Sequence, residues 1–133
     1  MNDENVKLVQ SMYEAFGRGD VSYIASKVRP EARWDFNVTR SDVPWHVPVM
    51  GPTEIPKFLA ALGENVAMEA FEPKQFIAMG DDVVAHIRFA FTVKRTGKRV
   101  DQEQLHWWTV QGGKVARLRH FEDTAQVIDA WRM

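Results

Sequence analysis

The chain contains no cysteine. That excludes disulfides, zinc–thiolate centres and thiol nucleophiles, and it fits a protein of the reducing cytoplasm. Net charge is nearly absent as well: 17 basic and 18 acidic residues leave a formal −1, with the two signs interspersed. A nucleic-acid binder carries a basic face or stripe. Here the basic cluster Lys94, Arg95, Lys98 and Arg99 falls at an expected turn, where a solvated hairpin tip accounts for it. No apolar run approaches the ~20 residues of a membrane span. The polar, acidic start Met1-Asn2-Asp3-Glu4-Asn5 is unlike a signal peptide. Phosphate-binding glycine loops are missing, since Gly112-Gly113 reads as a hairpin turn. The expectation is a cytoplasmic protein with no nucleic-acid or membrane partner and no cofactor.

What the chain does hold is a core and a heavy aromatic load. Its 133 residues fit one domain, taken as 1–133, and 45% are hydrophobic, enough to fold without staples. Five tryptophans and eight phenylalanines serve core and ligand contacts alike. Over residues 4–17, Val6, Val9, Tyr13 and Phe16 recur at spacings of three and four, predicting an amphipathic helix. Gly17 and Gly19 end it. Asp20 is placed to cap a second helix running to about Val28 and stopped by Pro30. Ala32-Arg33-Trp34-Asp35-Phe36 alternates as a short strand. The segment 37–50, with Pro44, Trp45, His46 and Pro48, is a long loop of the kind that often binds or covers a site. Gly51-Pro52-Thr53 opens a third helix with an apolar stripe of Phe58, Leu59 and Leu62.

From Met68 onward the period changes to two. Four strands are predicted near 68–78, 83–95, 98–110 and 114–122, with turns at Gly80-Asp81-Asp82, Thr96-Gly97 and Gly112-Gly113. Asp123 caps a final helix ending near Trp131. Helices followed by hairpin strands predict an α+β fold whose curved antiparallel sheet wraps an apolar pocket. In the second long strand Val83, Ala85, Ile87, Phe89, Phe91 and Val93 form the apolar face, which packs inward. A two-residue turn at Thr96-Gly97 sets Ile87 opposite His106 and Phe89 opposite Gln104, and opposed residues share a face. Gln104, His106 and Trp108 then point inward. In the last strand, Leu118, His120 and Glu122 form one face and Arg117, Arg119 and Phe121 the other, and alternation does not choose between them.

The string Tyr13-Glu14-Ala15-Phe16-Gly17-Arg18-Gly19-Asp20, Trp34 on a strand, Gly80-Asp81-Asp82-Val83, His106-Trp107-Trp108-Thr109-Val110, Gly113-Lys114-Val115 and Phe121-Glu122-Asp123-Thr124, in that order, resembles the SnoaL-like group of the nuclear-transport-factor-2-like superfamily. That superfamily includes ketosteroid isomerases, limonene-epoxide hydrolases and polyketide cyclases. The resemblance spans nearly the whole chain. It implies a cone of helices on a curved sheet, a pocket inside, and a homodimer through the outer sheet face. Carried over residue by residue, the isomerase tyrosine falls on Met12, its base on Phe36 and its oxyanion-hole aspartate on His106. Tyr13 stands one residue off that register, where a helix-core role suits it. The epoxide-hydrolase arginine and aspartates fall on Ile87, Phe89 and His120. Neither known apparatus is present. Both alignments place 104, 106, 108 and 118, 120, 122 in the pocket.

The candidate catalytic pair is therefore His106 and His120. Imidazole is the side chain best suited to proton transfer near neutral pH. One histidine would abstract a proton while the other donates to a developing oxyanion, and Gln104 or Glu122 could fix a tautomer. Trp34, Phe36, Ile87, Phe89, Gln104, Trp108, Leu118, Glu122 and His46 are the expected substrate contacts. The plainer reading of each histidine is a satisfied polar group, His106 bonded to Gln104 or water and His120 to Glu122. No metal is expected, because a third inward ligand is missing and His86 faces outward. The function this predicts is proton-transfer chemistry of the cyclase or isomerase type on a small hydrophobic, carbonyl-bearing molecule. The alternative is a non-catalytic small-molecule-binding module of the same fold.

Overall fold

The acidic residues Asp3 and Glu4 open helix α1 (Asn2–Gly17), where carboxylates oppose the positive end of the helix dipole. Of the predicted stripe Val9 and Tyr13 are buried and Val6 and Phe16 only partly so, while Met12 and Ala15 complete the buried face. The computed structural model describes residues 2–133. Gly19 takes φ +72°, a left-handed conformation glycine adopts freely, and turns the chain into α2 (Val21–Ser26). Asp20 caps that helix by accepting from the Tyr23 N–H at 3.1 Å. The helix stops at Ser26 rather than near Val28, because Val28 is already paired with Val115 in a sheet.

Strand β1 (Val28–Phe36) therefore starts four residues earlier than expected and carries Pro30 within it. Proline cannot donate to a ladder, and the β1 register slips between Val28 and Arg33, where Pro30 sits. The loop after β1 ends in a short strand β2 (Val49–Met50), and Gly51 at φ +72° closes it against β1. A Cβ at Gly51 would lie 2.7 Å from the Pro30 carbonyl oxygen, so glycine is required there twice over. Helix α3 (Ile55–Asn65) begins after a turn at 51–54 and buries Ile55, Phe58 and Leu62. Leu59 is only partly buried against them.

Four long strands follow: β3 (Val66–Met79), β4 (Asp82–Val93), β5 (Arg99–Gln111) and β6 (Lys114–Phe121), then helix α4 (Thr124–Trp131) capped by Asp123. The six strands run in the order β2-β1-β6-β5-β4-β3. Alternation predicts five of these strands; the sixth, β2, is two residues long and has no periodicity to detect. The sheet is mixed rather than wholly antiparallel, since β1 pairs with β6 in parallel. These two strands are joined by most of the chain rather than by a hairpin, so no turn constrains their direction.

The β4–β5 turn corrects one register. Thr92 lies opposite Arg99 and the Val93 N–H donates to the Lys98 carbonyl at 2.8 Å, so the connection is the four residues Lys94–Gly97. His106 therefore faces Ala85, and Gln104 faces Ile87, each two residues from the expected partner. A slip of two keeps every side chain on its face. Val83, Ala85, Ile87, Phe89, Phe91 and Val93 are all buried, as are Gln104, His106 and Trp108 opposite them. No helix among the described residues is long and apolar enough to cross a membrane.

Candidate functional site

Between the inner sheet face and helices α1–α3 lies a cavity of about 80 Å³, walled almost entirely by aromatic and aliphatic side chains. A dry cavity of ~150 Å³ admits benzene, and this space is smaller than that. Its polar groups come from three places. Helix α1 supplies Tyr13, β5 supplies Gln104, His106 and Trp108, and the end of β6 with the residue just after it supplies His120 and Glu122.

Strand pairing sets His106 directly opposite His120, with ring centroids 4.7 Å apart and planes at 71°. His120 stacks on Phe36 at 4.3 Å and 9°. From His106 a hydrogen-bond chain runs in both directions. Its Nδ1 meets the Tyr13 hydroxyl at 2.8 Å, and that oxygen accepts from the Trp108 indole N–H at 2.9 Å. Its Nε2 meets Gln104 Oε1 at 3.1 Å. Gln104 Nε2 donates to Gln102 Oε1 at 3.2 Å. Gln102 is held by backbone: its Nε2 donates to the Asp123 carbonyl at 3.2 Å, and its Oε1 accepts from the Asp123 N–H at 3.1 Å.

Those backbone atoms fix the proton positions along the chain. Turning the Gln102 amide over would set oxygen against a carbonyl and NH₂ against an N–H. The Gln104 amide is consequently fixed too, with its oxygen toward His106. An oxygen accepts, so His106 carries its proton on Nε2, its Nδ1 is bare, and the Tyr13 O–H donates to it. Both nitrogens of His106 are spent. Burial holds its pKa well below the ordinary imidazole value of 6.5, and the neighbouring His120 adds to the effect. Burial likewise raises the Tyr13 hydroxyl, with the Trp108 hydrogen bond working against it.

His120 has the opposite tautomer. Its Nδ1–H donates to the Asp35 carbonyl at 3.0 Å, leaving Nε2 as a lone pair with no partner among the described residues. Burial lowers its pKa; the Asp35 carbonyl pulls the other way. Glu122 does not pair with His120. Its Oε2 accepts from His46 Nε2 at 2.8 Å, and His46 Nδ1 in turn meets Ser41 Oγ at 2.7 Å. The His46 and Glu122 side chains are 0% and 3% exposed. Trp34 also lines the cavity, and its indole N–H is buried without an acceptor.

Of the residues expected at the site, His106, His120, Trp34, Phe36, Phe89, Gln104, Trp108, Leu118 and Glu122 all line the cavity. Ile87 does not: it is fully buried on the same face but packs in the core beyond the wall. His46 does not line it either, since it lies behind Glu122 and ties the 37–50 loop to the end of β6. Tyr13, for which the sequence predicts a helix-core role, also lines the cavity and bonds His106. A hydroxyl on a core face needs a partner, and that requirement was the available signal. No third ligand joins His106 and His120: among the described residues no three His, Cys, Asp or Glu side chains are grouped to hold a metal ion.

No curated protein matches the chain. Solved structures do. A nuclear-transport-factor-2-like protein of Burkholderia xenovorans superposes with TM-score 0.89 at 24% identity, covering 99% of this chain and 98% of that one. One of Burkholderia thailandensis gives 0.86 at 25%, covering 97% and 98%. TerC, co-crystallised with polyporic acid, gives 0.84 at 25%, covering 96% and 97%. The model of the SnoaL-like domain matches residues 9–118. With the cone of helices and mixed sheet in place, the chain belongs to the SnoaL-like domain family.

Proposed function

We propose that the chain is a cofactor-free proton-transfer enzyme of the cyclase or isomerase type, acting on a small hydrophobic, carbonyl-bearing molecule. The observation that carries this is the bare Nε2 of His120, a buried and uncharged base at an apolar cavity. In the reaction His120 Nε2 takes a proton from the carbon next to the carbonyl. The electron pair moves onto the carbonyl oxygen. Return of the proton to another carbon completes an isomerisation. Attack of the same carbon on a second carbonyl forms a ring, and the alkoxide produced takes the proton back from His120 Nε2. His106 acts differently from a partner acid, because both its nitrogens are occupied; it holds the wall against which His120 sits. The family and the TerC complex with polyporic acid support a small organic ligand.

Turnover of a panel of ketones, enones and epoxides tests the reading. His120→Ala should abolish it, and the rate should rise with pH through a limb below 6.5, where the base loses its proton. Unchanged turnover in His120→Ala overturns the role of His120. The second reading, a non-catalytic binding module, is favoured by the saturated Tyr13–His106–Gln104 wall and the small cavity. Ligand affinity without turnover across the panel would establish it.

We also propose a homodimer through the outer sheet face. Ile77, Val84, Trp107 and Arg119 form one row across β3–β6, beside the exposed Leu105. The Arg119 guanidinium lies 4.2 Å over the Trp107 ring. Light scattering on wild type and Leu105→Lys measures it, with a monomeric wild type as the contrary result.

A further inference from the structure

The 37–50 loop holds a second line of polar groups, behind the cavity wall. Ser41 and His46 stand five residues apart in it, joined by a turn in which the His46 N–H donates to the Val43 carbonyl at 3.1 Å. Pro44 follows the first residue of that turn, the position its fixed φ suits. The Ser41 hydroxyl thereby comes within 2.7 Å of His46 Nδ1, while His46 Nε2 meets Glu122 Oε2 at 2.8 Å on the far side of the ring. Hydroxyl, imidazole and carboxylate stand in one line.

The carboxylate orders the protons along it. Its oxygen accepts, so His46 carries a proton on Nε2 and presents a bare Nδ1 to the hydroxyl. The Ser41 O–H donates to that nitrogen, and its Oγ accepts from the Val43 N–H at 3.0 Å. These two contacts act together on the hydroxyl. Nδ1 is a base for its proton, and the Val43 N–H favours the negative charge that gathers on Oγ as the proton leaves. Glu122 then faces the imidazolium that forms, in a place nearly shut off from water, where opposite charges attract strongly. Ser41 itself is only half-buried. Asp42, the next residue, is exposed, and its N–H makes no hydrogen bond among the described residues. A free N–H directly after a nucleophile is one of the donors that can hold an oxyanion.

We propose that Ser41 is a nucleophilic serine that takes acyl groups from small carboxylic esters, with His46 as its general base and Glu122 as the residue that positions that base. Neither nitrogen of His120 takes part, so this activity is separate from the reaction assigned to the cavity. Oγ bonds to the ester carbonyl carbon as its proton passes to His46 Nδ1, and the carbonyl electron pair collects on oxygen. When that pair returns, the bond to the alcohol oxygen breaks and the departing alcohol takes the proton from Nδ1. Water repeats the sequence on the acyl-serine: its proton goes to Nδ1 and on to Oγ as the carboxylic acid leaves.

Diisopropyl fluorophosphate and 4-nitrophenyl acetate test this on the whole chain. Peptide mass mapping should find the phosphoryl group on Ser41 about a hundredfold faster than on the exposed Ser22, which bonds no histidine. Release of 4-nitrophenol should fall to the uncatalysed rate in Ser41→Ala. Glu122→Gln keeps an oxygen for His46 Nε2 but removes the charge, so phosphorylation of Ser41 should slow roughly tenfold or more while circular dichroism shows the fold retained. Equal labelling of Ser41 and Ser22 in the wild type overturns the proposal and leaves Ser41 a pin of the loop, a result that no misfolded variant can obscure. Ester cleavage that survives Ser41→Ala overturns it as well. Undiminished labelling in Glu122→Gln overturns the part given to the carboxylate. The ketone, enone and epoxide panel bears on His120 alone, so the two readings fail separately.

Discussion

His106 and His120 face each other across β5 and β6 with their rings 4.7 Å apart, yet they carry their protons on opposite nitrogens. The difference arises outside the pair. The Asp123 backbone sets His106 through two glutamines, and the Asp35 carbonyl sets His120 directly. One ring is thereby closed to chemistry and the other left open. Nitrogen-15 spectra at pH 7 should show two neutral imidazoles, Nε2–H for His106 and Nδ1–H for His120. The same tautomer on both rings would contradict the hydrogen-bond chain.

The relay through Gln102 should be separable from the pocket itself. Gln102→Leu removes the group that orients Gln104 and leaves buried partners unsatisfied, at a cost of about 1–3 kcal/mol. Urea denaturation measures that loss. A purely structural role predicts no more, whereas a positioning role predicts a mixed His106 tautomer in the nitrogen-15 spectrum. Tautomer purity in the variant would show that Gln102 does not govern His106.

Acid should weaken the fold through the same two rings. Both are harder to protonate folded than unfolded, so below about pH 6.5 the unfolded chain binds more protons. This stability is full above that pH and falls as pH drops through it toward the lowered folded values. The slope reaches about 1.4 kcal/mol per pH unit for each histidine. Between pH 7.5 and 5.5 the wild type should therefore lose more stability than His106→Gln, which has one such group fewer.

Tyr13→Phe keeps the ring contacts with Phe71 and Phe76 but removes the hydroxyl that His106 and Trp108 share. Each orphaned partner costs about 1–3 kcal/mol. Thermal unfolding should record the loss even though Phe is the smaller and more apolar residue. No loss would mean that water replaces the hydroxyl.

His46→Ala should release the 37–50 loop. It leaves the buried Glu122 carboxyl without its donor, which costs about 1–3 kcal/mol. Hydrogen exchange at Val43 and Trp45 should quicken more than at β4. Equal protection of the loop in variant and wild type would show that Trp45 packing against Phe91 and Trp131 holds it without the histidine.

Which residues look inward was legible from the chain alone. Alternation has a period of two, so Gln104, His106 and Trp108 kept their face even though the turn proved two residues longer than expected. The caps at Asp20 and Asp123 were equally local, because a side chain reaches a backbone N–H three residues on. What each inward group touches was decided only in the folded molecule. Tyr13 meets His106 across 93 residues, His46 meets Glu122 across 76, and the parallel pairing of β1 with β6 brings the Asp35 carbonyl to His120 across 85. Periodicity carries no information at such separations. Sequence placed two histidines in one cavity; three long-range contacts determined that only His120 has a free nitrogen there.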